Sequence, residues 1–191
     1  MKSRNILRLA TLALAGLSLS GLALAQQKLL PAQSELAFVS KQMGVPVEGH
    51  FKKFDAQIAF DPAKPEAAKI AFSIDTGSAT LGVPESDAEL PKANWFSVAK
   101  FPQASFQSSA VKALGGGKFQ VAGKLTIKGN SKDLEFPVAL TQAGGLTTAS
   151  GQFLIKRLPF KIGENEWADT SMVADDVQVK FKVVLSGVNK I

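Results

Sequence analysis

Lys118-Phe119-Gln120-Val121-Ala122-Gly123-Lys124-Leu125-Thr126-Ile127-Lys128 sets a bulky apolar side chain at nearly every second position. Phe119, Val121, Leu125 and Ile127 fall on one side, against Lys118, Gln120, Lys124 and Lys128 on the other, and Gly123 keeps the register. A period of two marks a strand with one wet face and one dry face. Val177, Val179, Phe181, Val183 and Leu185 repeat the pattern against Gln178, Lys180 and Lys182. Seven such short stretches recur, and nothing comparable at a period of 3.6 follows Ala25. The dry faces of so many amphipathic strands must meet, as a sandwich or as a closed barrel. A barrel of about eight strands encloses either a packed core or one apolar ligand.

Residues 1–25 read as a cleaved secretory signal. Lys2, Arg4 and Arg8 precede a Leu/Ala-rich run from Leu9 to Leu24, and Ala23-Leu24-Ala25 supplies a small-x-small cleavage pattern. Gly16, Ser18, Ser20 and Gly21 dilute the run, which is short for a membrane span of about 20 residues. The expected location is therefore periplasmic. The full chain has 22 basic and 16 acidic residues; without the signal 19 basic residues remain, a net charge of +3. That weak charge, with lysines alternating along strands, does not suit nucleic acid, which calls for a clustered basic patch with aromatic platforms. There is no cysteine, so neither lipidation nor a disulfide framework holds the domain together. Residues 26–191 suit one domain.

Along that domain, a first strand pair is expected from Leu36 to about Val47 and from His50 to Phe60. Gly44 and Gly49 bracket a turn at Met43-Gly44-Val45-Pro46. Ile70, Phe72 and Ile74 form the next alternation. Pro84-Glu85-Ser86-Asp87-Ala88-Glu89-Leu90 has the acidic first turn of a short helix, limited by Pro91. Strands resume at Ala104, Phe106 and Ser108 and turn at Gly115-Gly116-Gly117, Gly129-Asn130 and Gly144-Gly145. Pro137 sits on the outward face of the strand Leu134–Leu140, so an edge or a bulge is expected there. A nonrepetitive segment from Lys156 to Asp176 precedes the last strand. The expected fold is all-β: a largely up-and-down antiparallel barrel with one short inserted helix.

Chemistry-bearing residues are scarce. The single histidine, His50, has no Gly-x-Ser-x-Gly elbow or comparable nucleophile context, and a zinc site needs three or four ligands. Glu164, Glu166, Asp169, Asp175 and Asp176 match no EF-hand spacing and read as a solvated acidic loop. No catalytic or metal site is expected. Arg157 is the one arginine beyond the signal. Its planar fork suits a carboxylate or phosphate. It is either a lipid head-group contact at a barrel rim or the ion-pair partner of Glu164, Glu166 or Asp169.

Four stretches carry a family resemblance: Ser34-x3-Phe38-x4-Met43-Gly44 with Gly49-x-Phe51; Trp95-Phe96 with Lys100-Phe101-Pro102-x-Ala104-x-Phe106; Gly123 to Gly129; and Lys156-Arg157-Leu158-x-Phe160-x-Ile162-Gly163. In this order, over a matching strand pattern, they resemble the YceI-like family of bacterial secreted lipid-binding proteins. The resemblance implies an extended lipocalin-like eight-stranded barrel with a long apolar tunnel, holding a polyisoprenoid lipid such as an isoprenoid quinone or a polyprenyl phosphate. Glu164-x-Glu166-Trp167-x-Asp169 resembles the subgroup associated with membrane b-type cytochromes. Ser34 stands where many members have histidine, and Leu90-Pro91-Lys92 where many have His-x-x-Ser/Gly.

The inward candidates for such a tunnel are Phe38, Phe60, Phe72, Ile74, Phe106, Phe119, Leu125, Ile127, Phe136, Phe153 and Phe181, with Trp95, Phe96 and Trp167 near its mouth and Arg157 at its rim. Alternatively the phenylalanines simply fill the barrel. The expected role is a non-enzymatic carrier of a polyisoprenoid lipid with no separate cofactor. A quinone-linked electron-transfer accessory to a b-type cytochrome is the second reading, and a lipid-modifying enzyme using His50 a third. An exposed barrel edge would support a homodimer.

Overall fold

The computed structural model describes residues 27–191, so the signal reading of residues 1–25 lies outside the described residues. Eleven strands form one antiparallel sheet: β1 Lys28–Leu29, β2 Glu35–Gln42, β3 Val45–Phe51, β4 Phe54–Ala59, β5 Lys69–Asp75, β6 Ala79–Thr80, β7 Gln103–Gly115, β8 Lys118–Ile127, β9 Asn130–Ala143, β10 Leu146–Lys156 and β11 Asp176–Ser186. The one α-helix among the described residues, α1, is Pro84–Glu89, with Pro84 in its first turn where a missing N–H costs nothing. The order β4-β5-β7-β8-β9-β10-β11-β2-β3-β6 follows the chain apart from the short β6 and the return from β11 to β2. Inward residues of β8 are buried and its lysines Lys118 and Lys124 exposed, as the alternation requires.

The two ends of this order, β4 and β3, are consecutive in the chain. β3 pairs with β2 and β4 with β5, and only Lys52 and Lys53 separate them. Taken as one bent strand, they make eight main strands whose ring is closed by the backbone rather than by a hydrogen-bonded ladder. Ser78 holds the bend: its carbonyl accepts from Lys52 N at 3.1 Å and its hydroxyl from Lys53 N at 3.0 Å. Below the bend β1 pairs with β11, and Gln27 exchanges both amide hydrogen bonds with the Phe60 backbone. Ser34, at the position where a histidine is common, accepts from Val184 N at 2.9 Å and donates to Leu30 O, tying the β1–β2 link to β11.

Three expectations change. The first turn is only Met43-Gly44; Val45 and Pro46 belong to β3, and Gly49 is a mid-strand residue opposite Phe38. The stretch His50–Phe60 is interrupted at Lys52–Lys53 instead of running through. Strand β9 is internal, not an edge; Pro137 sits just where the β9–β10 ladder ends, at Val138–Gly151, so its missing N–H breaks no bond there.

One end of the barrel is covered by α1 with residues 90–101 and by the segment 157–175. Asn94 O accepts from Gly163 N and Glu164 N, joining the two halves of the cover at 2.8 and 2.9 Å. Phe160, 2% exposed, plugs the junction. The opposite end carries the Gly116-Gly117 and Gly144-Gly145 turns.

Candidate functional site

The inward faces enclose a cavity of about 250 Å³ that extends from Leu90, Ile162 and Arg157 beneath the cover to Phe60, Leu140 and Leu185 at the opposite end. Phe119 and Ile127 of β8 both line it, about 27 Å apart along the strand at 3.3–3.4 Å per residue. With strands tilted by roughly 35–45°, that is about 20 Å along the barrel axis. Ordinary small-ligand sites hold roughly 300–1,000 Å³. A smaller volume spread over such a length is a slot for a chain, not a pocket for a compact molecule.

The wall is almost wholly apolar: of its lining side chains only Ser40 and Arg157 carry polar groups, Trp95 adding an indole N–H. Aromatic rings form its waist, with Phe136 stacked on Phe153 at 4.5 Å and edge-on to Phe181 at 5.8 Å. Phe106 approaches Phe136 at 5.5 Å from the β7 side. Nearer the cover, Phe51 bridges Phe38 and Phe96 at 5.5 and 5.8 Å.

The cavity wall brings together Phe38, Phe60, Phe72, Ile74, Trp95, Phe96, Phe106, Phe119, Leu125, Ile127, Phe136, Phe153, Arg157 and Phe181. Trp167 stands off the wall and packs on Trp95 from the cover, centroids 5.5 Å apart. Leu36, Phe51, Phe54, Ile58, Val111, Val138 and Leu140 also line the cavity and were not among the wall residues expected from the sequence. The strand alternation places all of them except Val111, which faces inward because a bulge in β7 between Ser108 and Ala110 shifts the parity set by Ala104 and Phe106.

Arg157 differs from both expectations. It is 2% exposed, and each of its five N–H groups donates to a backbone carbonyl: Ala174, Ile162, Gly163, Trp167 and Val173, at 2.6–3.0 Å. It makes no ion pair with Glu164, Glu166 or Asp169 and keeps no donor for a head group. Its role here is to gather the carbonyls of the 157–175 segment around one cation. Burial pushes its pKa below the ordinary value, and Asp175 opposes that shift; a guanidinium remains charged regardless.

Lys128 was read as part of a solvated face, yet it is 7% exposed. Its backbone has φ 50°, and its ammonium donates to Ala93 O at 2.6 Å, Lys161 O at 2.8 Å and Glu164 Oε2 at 2.8 Å. The Glu164 carboxyl is held below its ordinary pKa by that bond. The other acidic residues are engaged separately: Asp169 with Ser171, Asp175 with Leu158 N, and Asp176 with Lys156. Among the described residues no cluster of His and carboxylates could hold a metal ion. His50 is exposed on β3, paired with Thr80 and off the cavity wall.

A second, more open and more polar cleft lies at the bend, between Pro31–Leu36 and His50–Phe54. It shares Leu36, Phe51 and Phe54 with the cavity.

Residues 28–185 match the YceI-like domain. A protein of Ectopseudomonas mendocina (strain ymp), named UPF0312 protein, is 34% identical over 128 residues, which are 65% of this chain and 67% of that protein. A Pseudomonas putida (strain W619) protein of the same group is 37% identical over 98 residues, 51% of each chain. The chain thus spans about half to two thirds of the curated relatives it matches. Among solved structures, BcnA of Burkholderia cenocepacia is 45% identical, covers 82% of this chain and 99% of its own, and superposes with a TM-score of 0.80. A polyisoprenoid binding domain from Saccharophagus degradans shares the fold at 16% identity, with a TM-score of 0.67 over 85% of this chain and 98% of that one. With the match covering the barrel from β1 to the end of β11, the chain belongs to the YceI-like domain family.

Proposed function

We propose that this protein is a carrier, not an enzyme, that holds a long-chain polyisoprenoid lipid (an isoprenoid quinone or a polyprenyl phosphate) inside its barrel, outside the cytoplasm. The observation that carries the reading is the slot itself: narrow, as long as the barrel, and lined by aliphatic and phenyl groups. A prenyl chain offers branched hydrocarbon and no hydrogen bonds, which is what such a wall can take up. Burial at about 25 cal/mol per Å² of apolar surface supplies affinity without specific contacts. The Saccharophagus degradans domain, on the same fold, is described as polyisoprenoid binding, which supports the ligand class. The amino-terminal residues 1–25 support export. His50, the one histidine, lies off the slot, so the slot lacks the base that a lipid-modifying enzyme would need.

The test is organic extraction of the protein purified from its native periplasm, followed by mass spectrometry and fractionation of the producing cell. A stoichiometric prenyl lipid in the periplasmic fraction is expected. No lipid, together with no binding of added prenyl lipids, ends the proposal. Leu125→Trp, which fills the slot with a bulkier apolar group, is expected to block loading while leaving the fold intact by circular dichroism.

A further inference from the structure

The wall of the slot presents almost no polar surface, so a polar head on a bound lipid has to lie outside it. Trp95 Nε1–H, buried without a partner among the described residues, is itself sealed off by packing. The two cations buried beneath the cover are spent. Arg157 gives all five N–H groups to carbonyls, and Lys128 gives its ammonium to two carbonyls and Glu164. The cleft at the bend differs on each count. It shares Leu36, Phe51 and Phe54 with the slot, and all three are only half-buried. No ladder crosses this seam, because β3 pairs with β2 and β6 and β4 with β5. Leu36 is the register partner of Phe181, so the cleft meets the slot at its aromatic waist rather than at an end. Hydrocarbon wall and open cleft are thus continuous on the side of the barrel.

The rim of that cleft carries unspent charge. Lys52, Lys53 and His50 line it and are exposed, and neither lysine is in an ion pair among the described residues. The backbone N–H groups of both lysines are fixed on Ser78, so the two side chains stem from a braced bend. Glu35 is the one carboxylate on the rim. Asp87, close enough to sense Lys52 and His50, gives its oxygens to Thr80 and Leu81 N. Ser34 is committed to Leu30 and Val184. Two lysines against one glutamate leave the rim positive, and a dianion placed there favours the charged form of His50 as well. Lysine binds phosphate as a point charge, which suits a head that is still half in water.

Resting on the lipid-carrier reading, we propose that the bend cleft holds an anionic head, a phosphate or diphosphate monoester, among Lys52, Lys53 and His50, while the prenyl chain passes Leu36, Phe51 and Phe54 into the slot. The barrel is then loaded from its side. The two lysines select prenyl phosphates over neutral-headed prenyl lipids.

The experiment uses three probes: geranylgeranyl phosphate, geranylgeraniol and inorganic phosphate. The ester should bind about tenfold tighter than the alcohol, the scale of one charge-assisted hydrogen bond. The gap should narrow as salt is raised. Lys52→Gln combined with Lys53→Gln should bring the ester down to the affinity of the alcohol and leave the alcohol unchanged. Lys112→Gln combined with Lys118→Gln removes the same charge from exposed lysines of β7 and β8 and should keep the gap. His50 is the single histidine, so its ring carbon–proton signal is a lone reporter of the cleft. The ester should move that signal, and inorganic phosphate at the same concentration should leave it in place. Equal affinity of ester and alcohol overturns the assignment. So does a gap that survives the Lys52 and Lys53 substitutions, or one that closes equally with those at Lys112 and Lys118. Inorganic phosphate that moves the His50 signal as far as the ester does marks a free-phosphate site and overturns the head-group role. Failure of both lipids to bind overturns the carrier reading, which every other outcome leaves standing.

Discussion

The Phe181 ring lies against Gly151, its partner on the neighbouring strand, so closely that a Cβ on Gly151 would sit 2.6 Å from the ring's Cζ. The same seat occurs twice more, with Phe38 against Gly49 and Phe106 against Gly123. In each case a glycine lets an inward ring lie back on the wall of the barrel, and the space it vacates belongs to the slot. Gly151→Ala should push Phe181 inward and, because the new Cβ would also meet Pro137 O at 2.6 Å, strain the backbone between β10 and β9, at a cost of about 3 kcal/mol or more. Urea denaturation should show that loss, and titration with a prenyl lipid should show reduced uptake. Ser150→Ala, on the exposed face of the same strand, should change neither.

Arg157→Lys is expected to behave as a severe substitution. Lysine offers three N–H groups on a flexible stem where five fixed ones serve five carbonyls. At least two carbonyls lose their partner, and charged-group hydrogen bonds contribute about 1.5–3 kcal/mol each. A loss of about 3 kcal/mol or more in chemical denaturation is expected, with faster hydrogen exchange concentrated in residues 158–175.

Lys128→Met tests the fastening between the two halves of the cover. Replacing the ammonium removes its bonds to Ala93, Lys161 and Glu164 together. The Glu164 carboxyl, now held below its ordinary value of 4.5 chiefly by Lys128, should titrate closer to that value by carbon-detected NMR. An unchanged Glu164 titration would show that the contact contributes nothing in solution.

Acid should loosen the cover from the α1 side. Asp87 accepts from Thr80 Oγ1 and Leu81 N, both at 2.5 Å, and these bonds, the Thr80 one first, lower its pKa below the ordinary 3.8. A depressed carboxyl stabilises the fold above the unfolded value and loses that contribution as pH falls through the folded one. Protection of the α1 amides should therefore hold at neutral pH and decline below about pH 3.8. Asp87→Asn should show the looser exchange already at pH 7.

The alternation of Phe119, Val121, Leu125 and Ile127 was enough to orient β8, and the glycine turns were enough to string the strands in order. Side-chain period carries that information because water and core sit on opposite faces of a strand. Other features depend on partners distant in sequence. Gly49 reads as a turn residue until Phe38 is laid across it, and Lys128 reads as one more surface lysine until Ala93 and Lys161 fold over it. Arg157 was noticed for its rarity, but its partners are main-chain carbonyls, which no pattern of side chains reveals. Trp95 stood out as an aromatic, whereas its unpartnered N–H depends on the hydrocarbon packed around it.

Because no ladder joins β3 to β4, the lumen's closure rests on the covalent link through Lys52 and Lys53, braced by Ser78, by the β3–β6 pair and by the Gln27–Phe60 bonds. New termini placed between Gly116 and Gly117 would leave the ring intact, since β7 and β8 stay joined by their own ladder. New termini between Lys52 and Lys53 would leave the seam held only by those few bonds, with no covalent link and no ladder across it. A circular permutant cut there could keep every ladder and still fail to hold a guest.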